Sequence, residues 1–304
     1  MSISRKTILI ISAFFAIYVI WGSTYLLNKI AVTEIPPFFV AAIRFLIAGA
    51  IIFVIAKFMK LRLSISKKQF INCTIAGFLF LVYGNGVFIW ALKYLDSGFA
   101  ALEASTQPLF VLLLMRLIDG KKMQLKSLIG VALGLIGMYL LVSQKELITN
   151  DETLLGMFMA FTCVLSWSYA SVFVAKADLP SNFFVSTAYQ MSIAGVLLIL
   201  ISLLLNENWV SPTNWSQNAQ GALILLIVFG GVIAFTAFNY LLKMVSTEKA
   251  STSAYVNPIV AIILGWYVLD EVITTRTIVA ACILLTGVFF ITSRKRIKTK
   301  TIGS

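Results

Sequence analysis

Residues 98–118 read GFAALEASTQPLFVLLLMRLI, and residues 250–269 read ASTSAYVNPIVAIILGWYVL. Each stretch is mostly apolar, with a proline near its middle and small polar neighbours before it. About 20 such residues bridge a hydrocarbon core of roughly 30 Å as a helix. A proline inside a helix removes one hydrogen bond and frees the carbonyl four residues earlier, here Ala104 and Ala254. At membrane depth a freed carbonyl is tolerated only where protein or water meets it. Both stretches therefore read as kinked, polar-flanked membrane helices, with Pro108 and Pro258 as hinge positions and a static packing kink as the alternative.

Outward from these two, the same kind of run recurs along the whole chain. Of the 304 residues 60% are hydrophobic and 12% charged, whereas soluble domains keep roughly a quarter of their residues charged. Hydropathy places spans near 8–31, 37–58, 70–92, 98–118, 126–143, 155–176, 182–205, 218–243, 250–269 and 275–293. The first run is longer than a signal-peptide core and no small-residue cleavage site follows it, so it reads as a retained span. The expected class is an all-α integral membrane protein of ten transmembrane helices, with no room for a separate soluble domain.

The basic residues orient it. With the N-terminus inside, 19 of the 24 lysines and arginines fall in cytoplasmic segments. Lys29, Lys93, Lys145 and Arg276 fall outside, and Arg44 lies within a span. Positive-inside bias then predicts a multi-pass protein of the cytoplasmic (inner) membrane with both termini cytoplasmic. The net charge of +12 belongs to these loops, not to a basic stripe, so nucleic acid is excluded as a partner.

The two halves can be laid over one another. At an offset of 146, Trp21 meets Trp167, Phe38 meets Phe184 and Gly49 meets Gly195; at 150, Lys93 meets Lys243, Pro108 meets Pro258 and Gly137 meets Gly287. Five spans per half is an odd number, so residues 1–146 and 147–304 are expected to form two inverted five-helix repeats. Such repeats recur in secondary transporters, with the solute site near the midplane between them.

These features resemble the EamA-type carriers of the drug/metabolite transporter superfamily. The resemblance rests on ten spans in two halves, on Trp21-Gly22-Ser23-Thr24-Tyr25, on Arg44-Phe45 with Ala48-Gly49, and on the Pro108 and Pro258 helices. It implies a bacterial-type inner-membrane carrier, often an exporter of amino acids or related metabolites. One departure stands out. Members usually carry an acidic residue after the fourth and ninth spans; the second half has Asp270-Glu271, but the first reads Asp119-Gly120-Lys121-Lys122.

Two charges enter the membrane. At 1.5 Å per residue, Arg44 and Glu103 both sit roughly 10 Å deep. A charge there costs on the order of 3 kcal/mol by insertion scales, so it pairs or faces water. The expectation is that both face one cavity, where Arg44 attracts a substrate carboxylate and Glu103 pairs with it or titrates; interfacial snorkelling is the alternative. Tyr18, Trp21, Tyr25 and Asn28 share one face of the first span, and Thr162, Ser166 and Tyr169 share a face of its counterpart beside Trp167. Such stripes line a cavity or bind helix to helix. The candidate substrate-binding set is Trp21, Thr24, Tyr25, Arg44, Tyr83, Asn85, Glu103, Gln107, Trp167, Tyr169, Asn239, Tyr255 and Asn257. The glycines Gly130, Gly134 and Gly137 read as packing positions.

Cys73, Cys163 and Cys282 are isolated and the chain has no histidine. Neither a metal site, a cofactor nor a catalytic residue is expected, and no nucleotide-binding loop occurs. The function read from these residues is a secondary transporter of small organic metabolites, amino acids or related amphipathic solutes, exporter ahead of importer. A membrane enzyme lacks its acid/base or metal cluster, and a channel lacks a charged ring or filter. A lipid-linked flippase or a non-transporting subunit stays open as an alternative. The expected partners are a small-molecule solute and membrane lipid; oligomeric state is not readable.

Overall fold

The computed structural model describes residues 5–120, 125–142, 151–251, 253 and 256–292, and among them all regular secondary structure is helical. The apolar helices are α1 (Lys6–Ala31), α2 (Pro37–Phe58), α3 (Lys67–Ala91), α4 (Ser97–Ile118), α5 (Leu125–Leu141), α6 (Asp151–Val174), α7 (Phe183–Leu204), α8 (Gln217–Met244), α9 (Asn257–Leu269) and α10 (Thr275–Gly287). Seven are long and apolar enough to cross a membrane; α5, α9 and α10 are shorter. The protein is thus an all-helical integral membrane protein.

Local chemistry starts these helices where hydropathy expects them. Ser66 and Gln69 form a reciprocal capping box at α3, Asn182 accepts the Phe184 N–H at α7, and Ser216 accepts the Ala219 N–H at α8. Each satisfies donors that the first helical turn leaves without partners.

The proline helices take a different form from the one expected. Helix α4 is not merely kinked: it breaks into Ser97–Ala104 and Gln107–Asp119, with Pro108 second in the new helix. In α9, Pro258 likewise follows directly on Asn257. A proline in the first turn removes no helical hydrogen bond, because that N–H has no helical acceptor. The chain crosses the first break through a tightened turn in which the Thr106 N–H donates to the Glu103 carbonyl at 3.1 Å.

Three helices contain π-helical turns: Ala16–Ile20 in α1, Phe78–Val87 in α3 and Leu226–Phe235 in α8. The last two are 148 residues apart, between the sequence offsets of 146 and 150. A wide turn misaligns backbone carbonyls, and neighbouring side chains take them up. Ser166 Oγ donates to Leu79 O (2.8 Å), and Cys163 Sγ donates to Tyr83 O (3.3 Å). The Asn257 amide, turned to donate, reaches Ile17 O and Tyr18 O, each at 2.9 Å. This bond pins α9 to the widened turn of α1.

Helix α2 packs along α7, and α5 along α10. Both contacts are reciprocal. A Cβ on Gly49 would lie 2.5 Å from Ser192 Oγ, and one on Gly195 would lie 2.6 Å from Leu46 Cγ. Position 46 corresponds to 192 as 49 does to 195. In the other pair Gly137 abuts Leu284, while Gly287 abuts Gly134. Residue i touching j′ while j touches i′ is the pattern of a two-fold contact.

Candidate functional site

A cavity of about 90 Å³ lies between α1, α3, α4, α6 and α9. Its walls are Trp21, Thr24, Tyr25 and Asn28 from α1, Gly84, Asn85 and Phe88 from α3, and Ala101, Ala104, Ser105 and Gln107 from α4. Helix α6 adds Cys163, Val164 and Trp167, and the far side is Ser253, Asn257 and Pro258. The break in α4 and the start of α9 both border it. That is where irregular backbone belongs in a membrane protein, since a polar cavity satisfies the freed groups.

The aromatic part of the wall is a cluster rather than a stripe. Trp21 meets Trp167 edge-on at 5.5 Å, Trp21 meets Phe238 at 5.0 Å, and Phe80 meets Trp167 at 4.8 Å. Tyr25 and Phe88 form a further edge-on pair at 5.6 Å. Edge-to-face packing at these distances is the favoured aromatic geometry. Trp21 and Trp167, matched at the offset of 146, are therefore in direct contact within the cavity wall.

Arg44 is buried, and its charge reaches the cavity through two amides. Its Nη1 donates to Asn28 Oδ1 at 3.4 Å and to Asn85 Oδ1 at 3.5 Å, and the guanidinium lies 5.0 Å from the Phe45 ring centroid. Both hydrogen bonds are near the long limit, and Nε has no partner among the described residues. Glu103 is buried too, and its Oε2 lacks a hydrogen-bond partner among them. It lies within electrostatic reach of the cavity residue Cys163. The two charges that the sequence places at one depth are thus held separately, Arg44 by amides rather than by Glu103.

Of the sequence-derived set, Trp21, Thr24, Tyr25, Asn85, Gln107, Trp167 and Asn257 line this cavity together. Six do not line it: Arg44 and Glu103, expected to face it but buried behind its wall, and four that lie elsewhere or undescribed. Tyr83 donates to Thr162 Oγ1 at 3.2 Å and so joins α3 to α6, whereas Asn239 donates to Phe235 O at 3.3 Å within its own helix. Tyr169 is 45% exposed on the outer surface of the bundle. Tyr255 lies outside the described residues. The face of α6 that meets the cavity is Cys163 and Trp167, one helical turn apart, and not Thr162, Ser166 and Tyr169. The first two of those bind α3 instead. Asn28, Cys163 and Ser253 are wall residues outside the set. Spacing offered a signal for Cys163, four residues before Trp167 and hence on its face.

Among the described residues, no group of three or more His, Cys, Asp or Glu could hold a metal ion. Asp96, just before α4 and near Lys29, keeps an exposed surface while its carboxyl is crowded by its neighbours. Burial, and then the neighbouring Glu271, push its carboxyl above the usual range, while Lys29 pulls it back.

A polytopic helical bundle around a small amphipathic cavity defines the class, an integral membrane protein. The family model for EamA-like transporters matches residues 8–143 and again residues 154–293, and the chain belongs to this family. YedA, an uncharacterized inner membrane transporter of Escherichia coli (strain K12), is 33% identical over 295 residues, covering 96% of this chain and 93% of the relative. The uncharacterized transporter YoaV of Bacillus subtilis (strain 168) is 24% identical over 285 residues, covering 93% and 97%. A crystal structure of another protein shares the fold with a TM-score of 0.69 at 20% identity, covering 94% of this chain and 96% of that one. The family is one of transporters, not enzymes.

Proposed function

We propose that this protein is a secondary carrier of small organic solutes, of the amino-acid or related amphipathic class. It works by alternating access, as an exporter rather than an importer. In this reading ten spans form two oppositely inserted halves, residues 1–146 and 147–304, with both termini cytoplasmic. The observation that carries the proposal is the cavity at the break in α4 and the start of α9, walled by aromatics and amides in front of a buried arginine. The reciprocal glycine contacts and the doubled family match support the two-half arrangement.

The chemistry follows from the walls. A solute carboxylate replaces the long amide contacts on Arg44, forming shorter charge-assisted bonds. The tryptophan–phenylalanine cluster takes the apolar part, and Thr24, Ser105, Gln107 and Ser253 offer neutral hydrogen bonds. At about 90 Å³ the cavity is well below the roughly 300–1,000 Å³ of ligand pockets. Holding a solute therefore requires the helices around the cavity to move apart, which is the opening step of alternating access. The halves of α4 move most readily, because the break between Ala104 and Gln107 is crossed by a tightened turn and not by a continuous helical ladder.

Purified protein in liposomes tests this against a panel of amino acids, cationic dyes and sugars, with and without a pH gradient. Uptake confined to carboxylate-bearing amphipathic solutes, and lost in Arg44→Gln, is the expected result. Preference for cationic dyes that survives Arg44→Gln removes the proposal, and the pH-gradient arm reports whether protons drive the flux.

A further inference from the structure

Helix α4 begins at Ser97, and the residue positioned to cap it, Asp96, makes no side-chain cap bond. Its free N–H groups go instead to Glu271, from the loop after α9. Glu271 Oε1 accepts from the Ser97 N–H at 2.7 Å, and Oε2 accepts from the Gly98 N–H at 3.1 Å. A carboxylate at a helix N-terminus is favoured by both the unpaired donors and the helix dipole. What is unusual is its source, 174 residues away.

The surroundings are built for this contact. Asp270 holds a left-handed conformation (φ 54°) that ends α9, and the Glu271 N–H turns back to Gly265 O at 3.2 Å. A Cβ on Gly265 would strike the Glu271 carboxylate, so only glycine leaves room for it. A Cβ on Gly98 would lie 3.0 Å from Ile262 Cγ1, which brings the α4 and α9 backbones together at this point. Beside them Lys29 Nζ donates to Leu92 O and Leu95 O, each at 2.7 Å. The cavity lies directly underneath. Asn28 is the neighbour of Lys29, and Ala101 is one helical turn beyond Ser97.

Two other glutamates tie the halves at this end. Glu207 accepts from the Phe38 and Phe39 N–H groups at 3.1 and 3.0 Å, and Glu34 accepts from the Ser216 N–H at 2.7 Å. Neither belongs to α4 or α9, the helices that meet over the cavity. By sequence, at the offset of 150 the counterpart of Glu271 is Lys121, which lies outside the described residues, and that of Ser97 is Thr247. A lysine ammonium only donates and has nothing to offer helix N–H groups.

We infer that Glu271 is a one-sided latch, a positioning residue that holds α4 against α9 and keeps the cavity's mouth at that end shut in the resting carrier. The opposite mouth, with a lysine at the matching sequence position, is the resting loading side. With cytoplasmic termini, solute loads from the cytoplasm. The gradient still sets net flux; the latch sets the fraction of carriers competent to bind from each side, and hence the apparent affinity there. The inference rests on the transport reading above, but its test needs no solute and so fails independently of it.

Cys163 lines the cavity and serves as the reporter. In the full chain with Cys73→Ala and Cys282→Ala, a membrane-impermeant maleimide is added to either side of lipid vesicles. Orientation is fixed in a parallel sample by labelling Asn208→Cys, beside Glu207. Cys163 is expected to resist reagent from the Glu271 side. Glu271→Gln, which keeps the shape but loses the charge, is expected to speed labelling from that side at least tenfold. Gly265→Ala, which displaces the carboxylate without altering it, does the same and substitutes if the first variant fails to fold. Unchanged labelling in a folded variant, or an equal rise from both sides, overturns the latch.

Discussion

Arg44 is held by two long hydrogen bonds to amides, with Nε unpartnered among the described residues, which is poor compensation for a buried charge. Breaking a well-matched buried pair destabilises, but replacing a poorly compensated charge with an apolar side chain of similar size is often neutral or stabilising. Arg44→Met is therefore expected to keep or raise the melting temperature while lowering transport at least tenfold. Thermal unfolding and initial rates in liposomes, measured on one preparation, check both halves of that statement. Arg44→Lys should not restore transport, because an ammonium lacks the planar fork that binds a carboxylate through two nitrogens. A fall in melting temperature matching the fall in transport would make Arg44 a packing residue. The depth of Arg44 was legible from its place in an apolar run. Its partners were not: Asn28 and Asn85 reach it from two other helices, and hydropathy carries no information about helix rotation.

At the scale of the element, the break before Pro108 and the helix start at Pro258 are where the chain can bend at small energetic cost. Alanine at position 108 supplies an N–H that can bond the Ala104 carbonyl and favours a continuous helix, since proline disfavours a helix interior by about 3 kcal/mol. Pro108→Ala and Pro258→Ala are expected to lower the maximal transport rate several-fold while leaving solute affinity nearly unchanged. Equilibrium binding and transport, measured side by side, separate the two. Equal losses in both would place the prolines in the binding wall and not at a hinge. Sequence located these breaks through the prolines but expected kinks. The structure breaks α4 outright because Ser105 and Thr106 turn their hydroxyls to the carbonyls of Leu102 and Glu103, at 2.6 and 2.7 Å. That local bonding competes with continuing the helix.

For the whole molecule, the proposed two-half architecture predicts opposite exposure of matched positions. Cysteines replacing Lys93 and Lys243 should react with an impermeant reagent from opposite sides of the membrane, with Lys243 on the cytoplasmic side. Reaction from one side would remove the inverted arrangement and the alternating-access proposal with it. Glu207 and Glu34 belong to this scale, because each fastens one half to a helix start in the other. The sequence alone determined that the chain enters the membrane repeatedly, and it supplied the orientation and the repeat that the proposal above carries. Hydropathy and charge are summed along the chain and need no knowledge of neighbours. Only the tertiary structure decided that α6 turns Cys163 and Trp167 to the cavity, leaving Tyr169 on the outer surface, and that Glu271 rather than Asp96 caps α4. In a bilayer both faces of a helix are apolar, so periodicity cannot choose between them, and a contact spanning 174 residues exists only once the helices have packed.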